Sequence, residues 1–141
     1  MGDRALVQFV TKDNGKPFES GPVVYLHWHG GDVKQLLQET CDLMVGRASD
    51  VSYTTARFIG VCHLHTPGNM SLGVWNQHSV ITGKDTHGDA GCFIVDVTKA
   101  VWEVATIGGY GFASGDEDYD PKRRCSHTMP PSEEAKRATA D

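Results

Sequence analysis

Polar and apolar positions along the chain change period several times, and each change predicts an element. The apolar run ALVQFV at residues 5–10 predicts a first strand. Residues 11–22, TKDNGKPFESGP, are dense in turn formers, and Asn14-Gly15 marks a turn because both residues tolerate positive φ. Residues 23–29, VVYLHWH, are β-branched and aromatic and predict a second strand, paired with the first as a hairpin with a long loop. In residues 32–46 the period lengthens. Val33, Leu36, Leu37, Cys41 and Met44 recur every three or four residues, which predicts an amphipathic helix. Asp32 and Gln35 predict a capping box at its start, and Gly46 its end.

Residues 49–65 predict a second helix, capped by Ser49 or Asp50 and ended by Pro67-Gly68, although its β-branched residues work against helix. Residues 70–77 predict a third strand, and residues 92–97 and 101–107 a closing pair with a turn near Lys99. From residue 114 onward large apolar residues almost vanish. The expectation is one α+β domain over residues 1–113, in the order β-β-α-α-β-β-β. Two helices pack on one face of an antiparallel sheet of about five strands, and residues 114–141 form a flexible polar tail.

Bulk properties narrow the function. With 141 residues and 39% hydrophobic content, a core can form without cross-links. The four cysteines form no CxxC pair, and no secretory leader is in view, so reduced thiols in a cytoplasm are expected. No run of about 18 apolar residues offers a membrane span. A formal net charge of −5 argues against non-specific nucleic-acid binding, which needs a basic surface.

The candidate chemistry lies in histidines. In HWHGGD, His27 and His29 are two apart on a strand, and side chains at i and i+2 share a face. Tyr25, His27 and His29 are therefore expected on one side and Val24, Leu26 and Trp28 on the other. His27, His29 and Asp32 could hold zinc or manganese, with His63 or His65 as acid/base of a hydrolase or nuclease. The bland alternative is a half-exposed sheet and a capping aspartate. His63 and His65 lie about 200° apart on a helix and cannot chelate one ion together. Asp85, His87 and Asp89 alternate in a polar loop that fits either a cation or ordinary turns. The ligand patterns of metallo-β-lactamases, cupins and two-histidine phosphoesterases do not fit.

Four segments, MGDRA, YLHWHGG, ARFIG and SLGV, together with Trp102-Glu103, resemble a family of small proteins encoded by phages, prophages and other mobile elements, over about residues 1–111. The resemblance implies a genomic setting and no activity. In that setting a small acidic protein is expected to act in the host cytoplasm by covering a host defence protein or ribonucleoprotein, as an anti-CRISPR or other anti-defence inhibitor. Tyr25, His27 and His29 are expected contact residues. Tyr110 and Phe112 would serve as aromatic anchors, and Asp116, Glu117, Asp118 and Asp120 as an acidic patch that steers encounter with a basic channel. A homodimer joined through a sheet edge or an exposed sheet face is a further expectation.

Overall fold

The computed structural model describes residues 4–47, 49–65, 71–77, 79–82, 89–109 and 124–138. The chain forms an α+β fold with β1 (Ala5–Asp13), β2 (Lys16–Leu26), a 3-10 turn (Gly30–Asp32), α1 (Val33–Leu43), α2 (Val51–His65), β3 (Leu72–Trp75), β4 (Gly91–Asp96), β5 (Trp102–Ile107), β6 (Arg124–Met129) and α3 (Glu133–Ala138). The sheet has six strands in the order β3-β2-β1-β4-β5-β6. Its neighbours are antiparallel except β1 and β4, which run parallel.

The first hairpin is longer than its polar sequence implies. Asn14 and Gly15, with φ of 53° and 78°, make a two-residue turn in which both positions need positive φ. Much of the segment expected to be a long loop is strand. Two register shifts, between Gln8 and Val10 and between Thr11 and Lys12, let the ribbon twist. Its tip is exposed on both faces, so it needs no apolar alternation and left no strand signature.

The helices cover one face of the sheet. Val7, Phe9, Val24, Leu26, Phe93 and Val95 meet the apolar stripes of α1 and α2 there. All five apolar positions expected on α1 are buried. Phe9 stands at the centre, edge-on to Phe58 at 5.4 Å and to Trp102 at 5.9 Å between ring centroids. Helix α2 forms despite its β-branched residues because Val51, Phe58, Val61 and Cys62 are buried in the core. Thr54 and Thr55 donate to the carbonyls of Asp50 and Val51, at 2.5 and 2.8 Å. Asp50 caps that helix, accepting from the Tyr53 amide at 2.9 Å. The capping box expected on α1 is absent: Asp32 occupies the N-cap without a side-chain bond to the helix.

On the opposite face, Leu6, Val23 and Cys92 are covered by Ile81. The fully buried Gln8 holds this cover in place. Its Nε2 donates to the carbonyls of Gly21 (3.0 Å) and Ser79 (3.1 Å), and its Oε1 accepts from the Ile81 amide at 2.8 Å. Gln8→Leu strands these backbone groups in an apolar setting, so a loss of about 3 kcal/mol is expected in urea unfolding. A midpoint unchanged from wild type would show that Gln8 does not hold the cover.

The polar C-terminal region is not wholly a tail. Strand β6 pairs with β5 along its whole length, and Met129 is buried opposite Trp102. Polar links dock the residues beyond β6 onto α1. Gln38 donates to the Pro130 carbonyl, and Asp42 accepts from both the amide and the hydroxyl of Ser132, all at 2.9 Å. Ser132 also accepts from the Ala135 amide at the start of α3. The expected flexible tail is thus corrected over residues 124–138; its first part, residues 114–123, lies outside the described residues.

Candidate functional site

The expected site begins where β2 ends. Tyr25 lies half-buried on the face away from the helices, and its hydroxyl meets His27 Nδ1 at 2.7 Å. The alternation that would send Trp28 inward stops at Leu26. His29 takes a left-handed conformation, φ 69° and ψ 20°, and turns the chain into the Gly30–Asp32 turn. Val24 and Leu26 are buried as expected, but Trp28 is 39% exposed, with its ring edge-on to His27 at 4.8 Å. The void beneath Trp28 and His29 measures about 10 Å³, room for one water at most.

The histidines do not converge. His29 Nδ1 turns to Asp32 Oδ2 at 3.0 Å, whereas His27 engages Tyr25. His65 Nε2 ties α2 to Glu39 of α1 at 2.5 Å, and His63 is exposed on the same helix. Among the described residues no group of three His, Cys, Asp or Glu side chains is placed to hold a metal ion. The zinc or manganese set of His27, His29 and Asp32 is therefore not assembled. His63 and His65 lie on α2, with His65 turned to Glu39 instead of the β2 end. Burial raises the Cys41 and Cys62 thiols to about 12, which keeps them protonated at neutral pH.

What the fold does assemble is one end of the sheet. Strand register aligns Gly73, Tyr25, Leu6, Cys92, Ile107 and Arg124 in a single row across all six strands. Just beyond that row, Arg4 and Asp89 lock together: the amide and Nε of Arg4 donate to Asp89 Oδ2 at 3.0 and 2.9 Å. Continuing the β1–β2 register by one residue puts Arg4 across from His27. Burial pushes the Asp89 carboxyl up, but hydrogen bonds from Arg4 outweigh it and hold the group below its ordinary value; a protonated His27 acts in the same direction. The hydrogen bond to Asp89 in turn raises the Arg4 guanidinium.

Both ends of the segment between β5 and β6 belong to this same end of the sheet, because Ile107 pairs with Arg124. Gly109 packs so closely on Ala90 that a Cβ there would lie 2.2 Å from the Ala90 carbonyl carbon. Tyr110, Phe112, Asp116, Glu117, Asp118 and Asp120 fall in that segment and lie outside the described residues, as do Asp85 and His87. No family model, curated protein or solved structure matches this chain. The arrangement of this end rests on the chain's own geometry.

Sequence reasoning offers Asp89 only as a loop residue beside Asp85 and His87; it misses Arg4 and the pairing of the two, which are 85 positions apart. No local signal joins them; only the parallel pairing of β1 with β4 does so. No described helix is long and apolar enough to cross a membrane.

Proposed function

We propose that this chain is a binding protein of a phage or other mobile element, which inhibits a host defence component in the host cytoplasm by covering it. The observation that carries the reading is that Tyr25 shares one sheet row with the Ile107–Arg124 pair, with His27 and His29 just past the end of its strand. In sequence, that pair flanks the acidic stretch. Its sequence, GDEDYD, supplies charge for steering toward a basic nucleic-acid channel, and Tyr110 and Phe112 supply apolar anchor area.

The hydrolase reading finds no such support, because its histidines engage separate partners in separate places. The test is plaque formation by a phage that an active CRISPR system targets. Wild-type protein expressed in the host is expected to restore plaques. The variant D116N/E117Q/D118N/D120N, all beyond the described core, is expected to lose at least roughly tenfold of that rescue with an unchanged melting temperature. Equal rescue by wild type and variant, or none by the wild type, would count against the proposal.

A further inference from the structure

We propose that a second copy of this chain docks antiparallel along the outer edge of β3, with Val74 at the twofold axis. Strand β3 ends the sheet, and the His27 amide donates to the Ser71 carbonyl at 3.1 Å. That bond sets which backbone groups turn inward. Residues 71, 73 and 75 bond to β2, so Leu72 and Val74 turn their N–H and C=O groups outward. Among the described residues nothing pairs with those outward groups.

Sheet edges are ordinarily guarded by charge or proline. Strand β6 carries Arg124 and His127, and the free half of β2 carries Lys16, Pro17, Glu19 and Pro22. Residues 71–77, SLGVWNQ, hold neither a charged residue nor a proline. Val74 and Trp75 there are 52% and 37% exposed. The chain carries a formal charge of −5, which sets copies against one another in general, whereas this edge is itself neutral.

Self-complementarity selects a second copy as the occupant. With Val74 opposite Val74, the two copies exchange a pair of backbone hydrogen bonds at the axis. The same register sets Trp75 of each copy across from Gly73 of the other. Gly73 leaves an open position on that face, since a Cβ there would lie no closer than 3.7 Å to Tyr25. An indole laid over a cross-strand glycine fills this gap. A contact along a four-residue strand is short for the roughly 1,200 Å² at which stable interfaces begin, so the dimer is expected to be weak and concentration-dependent.

Sedimentation of the full chain over a rising concentration series is expected to move from 15.4 kDa toward twice that mass. Val74→Lys should remain monomeric with an unchanged melting temperature, while Thr128→Lys, on the β6 edge, should associate like wild type. In a Cys125→Ser background, Val74→Cys should form an intermolecular disulfide on mild oxidation, because the Cα atoms of a hydrogen-bonded antiparallel pair lie about 5.5 Å apart. Thr128→Cys should not. A wild-type chain monomeric throughout, or a Val74→Lys variant that associates as wild type does, overturns the proposal.

Discussion

A chain ended after residue 123 is expected to lose about 4 kcal/mol of stability or more, a large share of what holds a domain of this size together. The cut removes the whole of β6 and with it the cover over Trp102. Met129, buried opposite that indole, leaves with the strand, and the Cys41 thiol loses its contact with the Met129 carbonyl. The outer edge of β5 then faces water with its hydrogen bonds to β6 broken. A chain ended after Pro130 is a sharp control. It keeps β6 and loses the bonds between Ser132 and Asp42, which lie near the surface, so the expected cost is about 1 kcal/mol. Urea unfolding of both truncations reads the difference. If both unfold at the wild-type midpoint, the C-terminal segment is the dispensable tail its composition suggests.

Phe9→Ala is expected to cost about 4 kcal/mol. Phe9 is fully buried and touches Phe58 of α2 and Trp102 of β5, so it joins the helix layer to the far half of the sheet. Removing the ring leaves a cavity between elements held by strand and helix geometry, and such sites collapse poorly. Phe18→Ala makes the comparison. That ring sits at the exposed end of the first hairpin, 70% accessible, and its loss should fall within about 0.5 kcal/mol of wild type. Similar losses in the two variants would mean that the aromatic contact around Phe9 does not organise the core.

The sequence was most informative where a face is buried. The three-and-four spacing of α1 identifies its core positions because one side of that helix is buried in the core through Val33, Leu36, Leu37 and Cys41. Residues 92–97 and 101–107 read as strands because the rows through Phe93, Val95, Trp102 and Val104 are buried. Legibility fails where stability comes from backbone pairing or polar links. The first hairpin's tip is strand without burial, and β6 is an edge strand in which Met129 alone is fully buried. The segment after it docks through Gln38, Asp42 and Ser132, which composition alone reads as loop chemistry.

The histidine segment was half legible. Alternation places Tyr25 correctly opposite Val24 and Leu26. It fails at Trp28 because β2 ends at Leu26, three positions before the end of the expected strand, and the left-handed residue His29 turns the chain away. The spacing correctly puts Asp32 at the N-cap position, but its carboxylate serves His29 and not the helix amides. The gathering of Arg4, His27 and Asp89 depends on register across three strands, which no single stretch of sequence records.

Hydrogen exchange of the chain, alone and mixed with a purified CRISPR effector ribonucleoprotein, tests the binding account most directly. The account predicts a complex in which amides at residues 27–31, 89–90 and 107–109 gain protection, while those on the outer faces of α1 and α2 exchange as in the free chain. Protection confined to the helix layer, or no change at the sheet end under conditions where the complex forms, would contradict it.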